Sequence, residues 1–318
     1  MYEKIVGEIL DGRRLGREDD LSFLVSGELE SLKQGANQIR QILCGDHVDL
    51  CTIINGRAGC CSEDCRFCAQ SSHYNTEAKE YKILGADVFV EACKHHQEDG
   101  AHRFSIVTAG RSLAGDDFEQ ILAAYRCMKK SCSRIALCAS HGLLTKEQFS
   151  ALKEAGVSRY HANIETSRRY FPQICTTHSF EDKLVCIRAA KEAGLQVCSG
   201  GIIGMGETWE DRLDMAITLS ELEVDSIPLN VLIPIPGTPF EQLPVLLEED
   251  ILRTVALFRF LNPLADVRLA AGRIRMKGNG KEAFFSGANG TITGDMLTTS
   301  GNRTAQDIEM LQASGFIL

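Results

Sequence analysis

From about residue 48 onward the chain alternates two patterns of apolar positions. Short β-branched runs predict strands over 48–55, 103–110, 134–140, 160–166, 196–204, 226–234, 267–272 and 290–294. Between them apolar residues recur at three- and four-residue spacing. Phe118, Ile121, Leu122, Tyr125 and Met128 share one helical face, and similar stretches lie near 87–99, 145–155, 180–194, 209–222 and 249–261. Gly100, Gly156 and Gly194 close three of these helices, as residues that accept a left-handed backbone do. Eight strand-then-helix units in succession predict a (β/α)8 TIM-type barrel. An open doubly wound sheet is the competing arrangement, because strand order alone does not report closure. No linker, repeat or low-complexity tract divides the chain. The expected organisation is a short N-terminal helical extension over 1–40 and one barrel domain over 41–318.

The predicted strands carry an unusual inward face. Barrel interiors normally hold Val, Ile and Leu. Here Ser105, Cys138, His161, Asn163, Glu165, Cys198, Asn230 and Arg268 fall on strands. Burying that many polar groups is costly unless they meet one another, a ligand or a metal. A lumen that holds a ligand is therefore expected, and with it an enzyme.

Composition narrows the chemistry further. The 318 residues are 44% hydrophobic and 24% charged, with a net charge of −9, which disfavours nucleic-acid and membrane partners. No apolar run is long enough to span a bilayer, and the charged start does not read as a signal peptide. Thirteen cysteines is an odd count in a chain too large to need disulfide staples. A cytoplasmic protein with reduced thiols is expected, its cysteines free for metal.

Four cysteines fall within nine residues, Cys60, Cys61, Cys65 and Cys68, in the loop after the first predicted strand. That loop lies on the face where barrel active sites sit. Cys61, Cys65 and Cys68, spaced by three and two residues, can surround one corner of an iron–sulfur cube and leave one iron open. A structural zinc would want four closed ligands, which the adjacent Cys60 does not readily complete.

The Cx3CxxC spacing, with Phe67 before the last cysteine, resembles the signature of the radical S-adenosylmethionine (SAM) superfamily. The run Gly200–Glu207 resembles that superfamily's GxIxGxxE element. The segments CSEDCRFCAQSS, YHANIETS, VCSGGIIGMGET, DSIPLNVLIPIPGTP, VRLAAGR and GANGTITGDMLTT resemble, in order, those of the biotin synthases, from about residue 45 to the C-terminus. The resemblance implies insertion of sulfur into dethiobiotin by way of a 5′-deoxyadenosyl radical, with two SAM molecules used per turnover. It implies a 4Fe–4S cluster on Cys61, Cys65 and Cys68, whose open iron binds SAM. Phe67, Asn163, Glu165, Lys183, Gly204 and Glu207 would contact SAM, and Asn163 and Asn230 the substrate. Glu165 and Lys183 stand where Asp and Arg are usual. A flavodoxin or ferredoxin electron donor and a homodimer are implied as well.

An auxiliary iron–sulfur cluster supplies the sulfur in that family, held by three cysteines and an arginine. Cys138, Cys198 and Arg268 match, but the remaining position is Ser105, a poor ligand for iron. Cys93, Cys127, Cys132 and Cys186 belong to outer helices, and Cys51 reads as packing within its strand. Cys175, in the loop after the fourth strand, is the expected substitute, with Cys138 and Cys198. Three thiolates so arranged suit a four-iron cluster with an extra sulfide as well as the usual 2Fe–2S rhomb, with Arg268 as a ligand or as a cation beside the sulfides. The rival readings are a hydrogenase-maturation or methylornithine-forming enzyme of the same superfamily, and a non-catalytic iron–sulfur carrier or zinc protein.

Overall fold

The computed structural model describes residues 1–299 and 301–318. Three helices come first, α1 (Tyr2–Leu10), α2 (Ser22–Ser26) and α3 (Leu29–Leu43). Strands and helices then alternate through β1 (Asp49–Arg57), α4 (Ala86–Glu98), β2 (Arg103–Thr108), α5 (Gly115–Ser131), β3 (Ala136–Ser140), α6 (Lys146–Ala155) and β4 (Val157–His161). The second half runs α7 (Phe180–Glu192), β5 (Gln196–Cys198), β6 (Gly201–Ile203), α8 (Trp209–Glu221), β7 (Ser226–Val231), α9 (Glu248–Leu261) and β8 (Asp266–Leu269). It ends with α10 (Lys281–Phe284), β9 (Gly290–Ile292) and α11 (Thr304–Ala313).

The nine strands pair in parallel throughout, in the order β5-β4-β3-β2-β1-β9-β8-β7-β6, and a further β5–β7 pairing at Cys198 and Ser226 closes the ring. Closure excludes the open doubly wound sheet. β5 and β6 are two halves of the fifth strand, so the ring is an eight-stranded (β/α)8 barrel.

The sequence places the fourth strand at 160–166, whereas the ladder occupies Val157–His161. Beyond His161 the Ala162 N–H still donates to Cys198 O at 3.0 Å, and the chain then leaves the ladder until Glu165 bridges Gly201. The strand is broken opposite the break in the fifth, and two glycines explain why both tolerate it. A Cβ on Gly200 would stand 2.0 Å from the Pro228 carbonyl oxygen, and one on Gly201 2.3 Å from that of Glu165. Only bare backbones can approach so closely.

The helices follow their apolar stripes. α5 buries Phe118, Ile121, Leu122, Tyr125 and Met128 against the barrel. α6 opens on a reciprocal Thr145–Gln148 cap and closes at Gly156, whose φ is +112°. The N-terminal helices pack on α9, with Tyr2, Phe23 and Phe260 meeting edge to face at 5.7–6.4 Å. α3 continues through position 40 to Leu43, and a short turn over 44–48 joins it to β1. No helix among the described residues is long and apolar enough to cross a membrane.

Candidate active site in the barrel lumen

The loop after β1 carries the three spaced cysteines, and its own backbone closes it. The Cys61 N–H donates to Gln70 O at 3.0 Å, the Ser72 N–H to Cys61 O at 2.8 Å and the Cys68 N–H to Cys65 O at 2.9 Å. Cys60, with φ of +49°, turns outward and donates its thiol to Glu80 Oε2 at 3.1 Å, so it does not join the other three. A second loop, after β4, clamps the first. The Asp64 carboxylate accepts from the Thr176 N–H at 2.8 Å and from the Thr177 N–H at 3.1 Å, while the Arg66 N–H donates to Ile174 O at 2.9 Å. These donors outweigh burial and hold the Asp64 carboxyl well below its ordinary value.

Beneath the loop the lumen forms a cavity of about 350 Å³, with Phe67 and Cys68 at its mouth. That volume suits a small-molecule site. Its floor is an ion network at the strand starts. Asp49 Oδ2 accepts from Arg268 Nη2 at 2.6 Å and from Arg103 Nε at 2.8 Å, and Arg159 Nη2 donates to Asp266 Oδ2 at 3.3 Å. Three guanidinium groups face two carboxylates, which leaves one positive charge in excess. Arg159 Nη1, a buried atom, makes no hydrogen bond, its nearest carboxylate oxygen being Asp49 Oδ2 at 3.6 Å. An orphaned buried cation donor is costly, and an anionic group above the floor would satisfy it.

Three thiols stand directly above, on β1, β3 and β5. Cys138 and Cys198 line the cavity as the sequence implies, and Cys51 lines it with them. Cys51, read from the sequence as packing within its strand, is buried facing the lumen. It shares the inward face of β1 with Asp49 and Ile53, while Leu50 and Thr52 are buried on the outer face. Strand alternation alone carries this signal. The nearby Cys51 thiol, more than the neighbouring arginines, brings Cys138 down to about 6 against the effect of burial. Burial acts to raise the Cys198 thiol too, but His161, Arg268 and Arg159 outweigh it and hold Cys198 below its ordinary value. Ser105 is buried in the same wall beside Cys138, its register partner across the ladder.

The top layer comes from the broken strands. Asn163 Oδ1 accepts from the Gly200 N–H at 3.0 Å, and its Nδ2 donates to Glu165 Oε2 at 3.2 Å. Glu165 sits at φ +68°, a left-handed conformation uncommon for its type, and burial pushes its carboxyl up. Asn230 spans β6 and the residues after β8, donating to Gly201 O and accepting from the Ala271 N–H, both at 3.2 Å.

Not every sequence-derived site residue faces the cavity. Glu207 turns back on its own loop and accepts from the N–H groups of Gly204 at 2.9 Å and Met205 at 2.7 Å and from Arg212 Nε at 2.8 Å. It fixes the turn in which Gly204 has φ +94°. Lys183, on α7, is absent from the cavity wall, and its positive charge acts to lower the Glu165 carboxyl. The largest departure is Cys175. It does not join Cys138 and Cys198, because the loop after β4 folds outward over the rim and not down into the lumen. Its buried thiol lies 3.8 Å from Cys65 Sγ and 3.3 Å from both His178 Nδ1 and Asp64 Oδ1. His141, partnerless in the sequence, is wholly buried between Thr108 Oγ1 at 3.0 Å and the Tyr125 hydroxyl at 3.2 Å.

A closed barrel with a three-cysteine loop on its rim defines a radical SAM enzyme, and the radical SAM superfamily matches residues 57–219. The Biotin and Thiamin Synthesis associated domain matches residues 228–317. Among solved structures, methylornithine synthase superimposes with a TM-score of 0.83 at 19% identity, over 98% of this chain and 96% of that one. A maturase of the FeFe-hydrogenase gives the same TM-score at 17% identity, over 99% of this chain and 74% of its own. Likeness at such identity establishes the fold alone. The biotin synthase of Clostridium beijerinckii is 60% identical over 314 residues, and that of Alkaliphilus metalliredigens 59% over 316, each match covering 99% of both chains. The chain belongs to the biotin synthase family.

Proposed function

We propose that this chain converts dethiobiotin to biotin by radical sulfur insertion in the lumen just described. One observation carries the reading in the structure itself: three thiols stacked over a cationic floor, beneath a separate three-cysteine loop. An enzyme that only cleaves SAM needs the loop and has no use for a second set of soft ligands within reach of its substrate.

Cys61, Cys65 and Cys68 hold the 4Fe–4S cluster, and Cys51, Cys138 and Cys198 hold the auxiliary one. When bound, the first supplies the electron that splits SAM and the second the sulfur. Everything else falls to the chain's own side chains. Arg159 Nη1 and the surplus floor charge face the anionic sulfur ligands. Arg268 directs Nη1 to the carbonyls of Asp49 and Thr291, at 3.0 and 3.2 Å, and Nη2 to the Asp49 carboxylate. With these donors engaged it would serve the auxiliary cluster as a neighbouring cation and not as a ligand. Asn163 and Glu165 present an amide and a carboxylate for the hydroxyls and amine of SAM, with Phe67 at the mouth. Lys183 supplies a positive charge near that carboxylate, and the turn built by Gly204 and Glu207 supports the adenine side. Asn230 holds the ureido end of dethiobiotin. Apolar Ile53, Val107 and Ile292 line the rest and keep water from the radical. The enzyme works as a cytoplasmic homodimer and draws electrons from a flavodoxin or ferredoxin.

The test is turnover and cofactor content measured together. Protein purified without oxygen and reconstituted with iron and sulfide is given SAM, a reductant and dethiobiotin. Biotin and 5′-deoxyadenosine are expected in a ratio near one to two. Mössbauer spectra read the auxiliary cluster: about eight irons per chain mean a four-iron form, about six a two-iron form. Only about four irons, with 5′-deoxyadenosine but no biotin, would overturn the reading.

A further inference from the structure

The lumen chemistry leaves two buried ligands, Cys175 and His178, unused beside the half-buried Cys65. Among the described residues, the group of three metal-ligating side chains whose ligand atoms all lie within 4.8 Å of one another is Cys65, Cys175 and His178. The lumen thiols Cys51, Cys138 and Cys198 do not converge in this way. Their spread suits a multi-iron cluster, in which each thiolate binds its own iron. The rim trio is drawn together as for a single ion.

The distances agree with a tetrahedral ion. At a Zn–S bond of about 2.3 Å and a tetrahedral angle, two thiolates on one ion stand about 3.8 Å apart. Cys65 Sγ and Cys175 Sγ are 3.8 Å apart. With a Zn–N bond of about 2.0 Å, a sulfur and an imidazole nitrogen on one ion stand about 3.5 Å apart. His178 presents Nδ1 at 3.3 Å and Nε2 at 3.8 Å from Cys175 Sγ. Of the two, Nδ1 is 2.6 Å from Glu63 Oε2. A carboxylate that takes one imidazole N–H turns the other nitrogen toward a metal, the support that ligating histidines commonly have. Cys175 and His178 are buried, and the Asp64 clamp holds their loop against Cys65 without any ion.

We propose that Cys65, Cys175 and His178, oriented by Glu63, form a mononuclear site for one borderline divalent cation, zinc or ferrous iron. It shares Cys65 with the SAM-binding cluster, so the two occupants exclude each other. Zinc, which stands above ferrous iron in intrinsic affinity for such ligands, is the blocking occupant, and ferrous iron can be displaced by the growing cluster. The proposal rests on the reading above only in assigning Cys65 to the cluster, since the ion itself needs neither SAM nor dethiobiotin.

The probe is cobalt(II) added without oxygen to the full-length, metal-free protein, where tetrahedral thiolate coordination gives intense visible bands. One equivalent should bind with a sulfur-to-cobalt charge-transfer band. Cys175→Ser and His178→Ala should each weaken binding at least tenfold, while the double variant Cys61→Ala, Cys68→Ala should keep it. Protein already carrying the four-iron cluster should take up none. Zinc added before iron and sulfide should block cluster loading in the wild type but not in Cys175→Ser. The loaded Cys175→Ser protein, with four irons on the loop, also serves as the check that this variant folds. The proposal is overturned if Cys175→Ser binds cobalt as tightly as wild type, if the double variant loses the site, or if the loaded protein still binds an equivalent. Each result is independent of biotin formation, so loss of the site and loss of the enzymatic reading are told apart.

Discussion

Cys51 lines the lumen and Cys175 sits on the rim beside Cys65, the reverse of what their places in the chain suggest. Two cysteines compete for the duty that Ser105 has given up, and chain position alone favours the loop residue. Alternation along β1 favours Cys51 in the function proposed above, because residues 49, 51 and 53 share one face and Asp49 already holds the floor arginines. Cys51→Ala is expected to remove the auxiliary iron and leave about four irons per chain on the rim loop, with 5′-deoxyadenosine still formed and biotin lost. Iron and sulfide analysis beside the turnover assay checks this, and an unchanged iron content would exclude Cys51. His141 makes a different prediction. Burial pushes its pKa down to about 3, below the roughly 6.5 of an unfolded chain. The unfolded state therefore takes up the proton first as pH falls. The stability His141 contributes is complete above about pH 6.5 and is lost between there and about 3. Thermal unfolding of the metal-free protein should shift to lower temperature from pH 7 to pH 5, and His141→Gln should flatten that slope. Equal slopes would assign the pH dependence elsewhere.

At the scale of elements, the amphipathic helices were the most legible part of the sequence. Their stripes bury against a barrel that needs only shape and apolar area, so α5 and α6 fall within two or three residues of their expected bounds. The fourth and fifth strands were less legible. Their course is set by backbone contacts between chain segments, Gly200 on Pro228 and Gly201 on Glu165, which have no local periodicity. The spaced cysteines announced themselves because a metal loop is contiguous. The lumen set is assembled from three strands, and the turn-building role of Glu207 appears only once its loop has folded. The seam between the N-terminal helices and α9 is a plain packing element. Phe260 is wholly buried there against Tyr2 and Phe23. Phe260→Ala should cost about 3 to 5 kcal/mol, read by denaturant unfolding of the metal-free protein. A loss under about 1 kcal/mol would mean that the helices close over the gap.

For the molecule as a whole, the ring is unevenly stitched. β1 and β2 pair through six registered positions, whereas β5 reaches β7 at the single pair Cys198–Ser226. Local opening follows the weakest stretch of ladder. Amide hydrogen exchange should therefore be fastest among the strands in β5 and β6 and slowest in β1 through β3, and loading of the auxiliary cluster should slow β5 selectively by tying Cys198 to Cys138 across the lumen. Uniform exchange around the barrel would contradict this.

The Asp64 clamp has a consequence for timing. Hydrogen bonds within the polypeptide hold this loop to its neighbour, so part of its shape is written into the chain ahead of any inorganic sulfide.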